Sequence, residues 1–116
     1  MAFTLVWTQK ARETYDRLKA EAISSLEARQ RKGRPKVSRS EGLFKQVKKC
    51  VDLLKENPWH PGLNTHEFHS KRHPHTPGSK VFEAYVQQST PGAYRLFWCY
   101  GPGKDQITII AITPHP

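Results

Sequence analysis

The chain has 116 residues, enough for one two-layer core but not for a second, so 1–116 is expected to form a single domain. Lysine and arginine outnumber aspartate and glutamate by 19 to 10, a formal charge of +9 with a pI near 9.8, which favours a polyanionic partner, nucleic acid first. No apolar run approaches the roughly 20 residues of a bilayer span, the opening Met1-Ala2-Phe3-Thr4-Leu5-Val6-Trp7 lacks a signal-peptide pattern, and Cys50 and Cys99 form no Cys-x-x-Cys pair, so the expectation is a cytoplasmic protein with two reduced core thiols.

Residues 3–7 read as a short strand ending at Thr8, a good N-cap, and Ala11, Tyr15, Leu18, Ala22 and Leu26 then recur at helical steps, predicting a helix from 9 to about 29. Residues 29–39 have almost no apolar content, contain Gly33 and Pro35, and read as a connector. Ser40 is the expected cap of a second helix, 41 to about 56, with Leu43, Val47, Cys50, Val51 and Leu54 as its core stripe and Asn57-Pro58 as its stop. Residues 64–68 suit a short strand, 69–79 a polar loop. Three β-rich runs follow, 81–88, 94–100 and 106–113, separated by turn-rich segments, hence an antiparallel meander. Helices first and a meander last is an α+β pattern, with both helices on one face of a mainly antiparallel sheet.

At this point several local motifs coincide in order. Residues 57–68, Asn-Pro-Trp-His-Pro-Gly-Leu-Asn-Thr-His-Glu-Phe, then Ala93-Tyr94-Arg95-Leu96-Phe97-Trp98, then the last strand running from Ile107 to His115, together resemble the RelE/ParE family of bacterial type II toxins over nearly the whole chain. The resemblance implies a curved sheet with two N-terminal helices on its convex face and RNA on its concave face, mRNA cleavage without a metal or other cofactor, and an acidic antitoxin partner. The ParE branch implies a different target, DNA gyrase. The chain departs from the family in a longer and more basic connector, in an expanded 69–79 loop, and in ending at Pro116, without the aromatic residue that often follows the terminal His.

Cutting RNA through its own 2′-OH needs a base, cations for the crowded phosphate and an acid for the leaving oxygen. Arg95 interrupts an apolar, aromatic strand where an unpaired charge is costly; by itself it reads equally as an edge or ion-paired residue, and with the resemblance as a phosphate contact. His115 follows a strand and a proline, and its residue type suits proton transfer, with a frayed terminus as the alternative. Glu83 and Tyr85 share a strand face by the period-two rule and are candidates to assist. Lys71, Arg72 and Lys80 are candidate phosphate contacts, or else a solvated basic loop. The connector's Arg29, Arg31, Lys32, Arg34, Lys36 and Arg39 form a denser basic run than solubility needs, suited to ribosomal RNA or to an antitoxin. Tyr94, Trp98 and Tyr100 share the other face and read as core. His66, His69, His73 and His75 match no zinc spacing and are not taken as metal ligands. Three functions remain open: a ribosome-dependent mRNA endonuclease, a gyrase inhibitor, and a nucleic-acid-binding module without catalysis.

Overall fold

The computed structural model describes residues 2–115. A strand β1 (Thr4–Trp7) leads into helix α1 (Gln9–Arg31), followed by α2 (Arg39–Glu56), a single 3-10 turn (Pro61–Leu63), and strands β2 (His66–Glu67), β3 (Phe82–Tyr85), β4 (Tyr94–Tyr100) and β5 (Gln106–Pro114). The five strands form one sheet in the order β1-β5-β4-β3-β2. The meander β2 to β5 is antiparallel, while β1 lies parallel to β5, from Thr4 opposite Gln106 to Trp7 opposite Ile109. That pairing joins the two ends of the sequence, and no local signal announces it.

Each helix begins where a side chain satisfies its free amides. The Thr8 hydroxyl accepts from Ala11 N and donates to Ile110 O at 2.7 Å. Ile110 is the residue skipped where Phe97 pairs with Ala111 but Trp98 with Ile109, so a bulge in β5 frees the carbonyl that anchors α1. The second helix starts two residues earlier than expected. Its cap is Ser38, not Ser40, because Ser38 and Glu41 close a reciprocal capping box that Ser40 cannot make. The first of the three β-rich runs is also shorter than expected, with β3 ending at Tyr85 rather than at 88, because Gln87 turns to serve β4 through its backbone and side chain.

One apolar core lies between the helices and the sheet. Ala11 and Leu18 of α1, Val47, Cys50, Val51 and Leu54 of α2, and Phe82, Ala84, Leu96, Trp98, Ile107, Ile109 and Ile112 of the sheet are all buried in it. Tyr94, Trp98 and Tyr100 face this side, as the alternation predicts, with Trp59 sealing the edge by donating from Nε1 to the Tyr100 hydroxyl at 2.9 Å. Both cysteines are unpaired and buried, and burial pushes the Cys50 thiol up to about 12 and that of Cys99 to about 11, which leaves them unreactive. Among the described residues, no helix is long and apolar enough to cross a membrane.

Candidate functional site

The sheet face opposite the helices carries charge. Alternation along β3 and β4 sends Glu83, Tyr85, Arg95 and Phe97 to that side, and the register sets Tyr85 beside Arg95, Arg95 beside Thr113, and Glu83 between His66 and Phe97. Arg95 is only 9% exposed. Its Nη1 donates to Gln87 O at 2.7 Å and to Tyr94 O at 3.2 Å, and its guanidinium carbon lies 3.8 Å from the centre of the Tyr85 ring. Carbonyl dipoles and a π face are thus its only compensation among the described residues: it makes no ion pair there, and its Nε has no hydrogen-bond partner.

Glu83 is 4% exposed and equally incomplete. Its Oε1 is 2.7 Å from His66 Nε2, whereas Oε2 is buried without a partner. His66 reaches it because Asn64, in a left-handed conformation with φ of 48°, turns the chain out of the 3-10 turn and into β2. The His66 Nδ1 is fixed by the Asn64 carbonyl at 2.9 Å, and its ring meets the Tyr85 ring edge-on at 5.6 Å. A carboxylate and a guanidinium, both buried on neighbouring strands of one face, therefore each keep one polar atom unused, and they do not pair with each other.

His115 extends the β4–β5 ladder by one rung, its N–H donating to Ala93 O at 2.7 Å beyond the Tyr94–Pro114 pair. Alternation places it on the side of Thr113 and Arg95. The residue after it, Pro116, lies outside the described residues. The expanded loop folds over the other half of this face: Phe68 packs on Phe97 at 4.7 Å, and Phe97, Cys99 and Thr108 are buried beneath. Two histidines pin it. His73 Nδ1 accepts from the amides of His75 and Thr76, so the proton sits on Nε2, which donates to Tyr100 O at 2.9 Å. His75 Nε2 donates to the Thr108 hydroxyl, which itself donates to Gly101 O.

Held this way, the loop gathers Lys71, Arg72 and Lys80 around one depression of about 260 Å³. The Lys71 ammonium lies 4.7 Å from the Phe97 ring centre, and Lys80 approaches Glu67 at 3.9 Å. The connector residues stand elsewhere. Arg34, Lys36 and Arg39 are exposed at the tip of the helical hairpin. Gln46 of α2 bonds Gln87 at the Arg95 end of the sheet, so Arg39 lies about 10 Å farther along the helix axis. Arg29 is not available to a partner in the way its neighbours are. It pairs with Glu41 at 2.9 Å and donates to the carbonyls of Arg34 and Pro35. The Arg29 guanidinium and the Ser38 amide hold the Glu41 carboxyl down at about 2.

The structure thus brings together Glu83, Tyr85 and Arg95, with His115 at their end of the sheet and Lys71, Arg72 and Lys80 on the adjoining loop. It leaves Arg34, Lys36 and Arg39 apart. Sequence reasoning missed His66, since only the pairing of a two-residue strand puts it against Glu83.

No protein-family model matches the chain, and no curated protein does. Solved structures do. The YoeB dimer from Staphylococcus aureus aligns over 100% of both chains with a TM-score of 0.60 at 10% identity. A YoeB/ParE toxin from Agrobacterium tumefaciens aligns over 97% of this chain and 99% of its own, with a TM-score of 0.57 at 12% identity. The archaeal RelE of the RelE-RelB complex from Pyrococcus horikoshii covers 98% and 96%, at 0.54 and 11%. The chain has the fold of the RelE/ParE toxins, as its motifs implied.

Proposed function

We propose that this chain, one domain over 1–116, is the toxin of a type II toxin–antitoxin system: a cytoplasmic, metal-independent endoribonuclease that cuts mRNA on the ribosome and is silenced by an acidic antitoxin. The observation that carries this reading is the pair of unused buried atoms, Glu83 Oε2 and Arg95 Nε, on the sheet face opposite the helices. A buried polar atom left without a hydrogen-bond partner costs a fold stability, and such atoms are candidates for completion by a ligand. The toxin fold and the net charge of +9 support an RNA substrate and an acidic protein partner.

The chemistry follows from what each side chain can offer. The ribose 2′-OH gives its proton to Glu83 and its oxygen attacks the adjacent phosphorus. Arg95 donates to a non-bridging oxygen as charge builds there, while Tyr85 holds the guanidinium from one side. The bond from phosphorus to the 5′ oxygen breaks, and His115 protonates that oxygen, leaving a 2′,3′-cyclic phosphate and a 5′-hydroxyl. Lys71, Arg72 and Lys80 hold flanking phosphates, and Arg34, Lys36 and Arg39 at the hairpin tip meet ribosomal RNA.

Induced expression in a bacterial host, with mRNA 5′ ends mapped, tests this directly. Wild type is expected to produce cuts within translated codons and Arg95→Ala to produce none. Equal cutting by both would remove Arg95 from the site. An absence of cuts, with purified gyrase losing supercoiling activity, would assign the fold to gyrase inhibition instead.

A further inference from the structure

We propose that His66 completes the site as a positioning residue that holds Glu83 by Oε1 and so dedicates Oε2 to taking the 2′-OH proton. This rests on the nuclease reading above and adds a residue to it. The geometry is specific. His66 Nδ1 faces a carbonyl oxygen at 2.9 Å, and its Nε2 faces a carboxylate oxygen at 2.7 Å. Both neighbours are acceptors, so two protons are needed along these two lines, one on Nδ1 and one shared between Nε2 and Oε1.

The consequence concerns one atom. The bond from His66 to Oε1 fixes the orientation of the carboxylate and leaves Oε2, buried and without a partner, as the oxygen with both of its lone pairs unused. The charged and titratable groups around the pair are Tyr85 on β3, Arg95 on β4 behind the Tyr85 ring, Lys71 over the Phe97 ring opposite Glu83, and Glu67 next to His66 on β2, which itself meets His69 and Lys80. None of them bonds Oε2. In the reaction the 2′-OH proton moves to Oε2, the 2′ oxygen bonds phosphorus, and the 5′ oxygen leaves with a proton from His115. His66 keeps its proton on the Oε1 side throughout, so protons balance without a further donor. His66 is half exposed at 46% on a two-residue strand, so its replacement leaves the apolar core intact.

The test is mRNA cutting in a translating extract by full-length wild type, His66→Ala and His66→Gln, each followed across pH and checked for thermal stability. His66→Ala is expected to cut about 10- to 100-fold more slowly, with its pH–rate profile displaced on the acid side. His66→Gln keeps an N–H for Oε1 and is expected to recover most of the rate. Cutting by His66→Ala at the wild-type rate with an unchanged profile overturns the assignment while leaving the nuclease standing. Failure of His66→Gln to recover any rate, at unchanged stability, overturns the positioning role. No cutting by wild type overturns the nuclease reading, and this assignment with it.

Discussion

The two faces of β4 share a backbone and differ in almost everything else. Toward the helices, Leu96 and Trp98 are fully buried in the apolar core that the two helices and the sheet share. On the other face Arg95 is nearly as buried, yet its neighbours are a tyrosine ring and two carbonyls, and it makes no ion pair among the described residues. The first face shows how this chain holds its fold. The second spends stability on charge left incomplete, which is the usual mark of a working surface.

The contrast predicts opposite responses to mutation. Trp98→Ala should have the largest effect, a loss of about 3–5 kcal/mol from a void beside Phe82 and Tyr100, read as a fall in denaturation midpoint. Glu83→Gln should reverse the pattern. On the nuclease reading its mRNA cutting should fall at least about 100-fold, while thermal stability should change far less than in Trp98→Ala, because the amide keeps the shape of the carboxylate and alters only its bond to the half-exposed His66. If Glu83→Gln instead lost stability as Trp98→Ala does, the two faces would be doing the same work and the contrast would collapse.

The smallest effect belongs to the hairpin tip, which lies outside both faces. The Glu41 carboxyl is depressed from 4.5 to about 2 by its Arg29 and Ser38 partners. A depressed carboxyl stabilises the folded state above its unfolded value and loses that contribution as pH falls from about 5 toward 2. Arg29→Ala should therefore flatten the acid dependence of the melting temperature in that window and leave mRNA cutting at neutral pH little changed. A variant as acid-sensitive as wild type would show that the pair contributes nothing to the tip.

Much of the architecture was legible. Thr8, the helical spacing of Ala11, Leu18 and Ala22, and the turn residues between the last three strands each act within a few positions, so local chemistry reports them. Ser38 was missed as a cap because Ser40 is as good by residue type, and only the reach of Glu41 back to the Ser38 amide separates them. Arg95 was legible as an oddity because a charge amid Leu96, Phe97 and Trp98 contradicts its own strand. His66 was visible only as part of the 57–68 motif and of a histidine cluster, and its place beside Glu83 was not legible, since nothing in the local sequence pairs the two.

By itself, then, the sequence determined the element types, the apolar stripes, the basic charge and the motifs of the toxin fold, all carried by short-range periodicity and composition. Tertiary structure alone decided the parallel closure of β1 on β5, the fold-over of the loop pinned by His73 and His75, and the meeting of His66 with Glu83. Strand register is set by which distant residues pack and pair, and shifting it by one residue would turn Glu83, Tyr85 and Arg95 to the wrong side of the sheet.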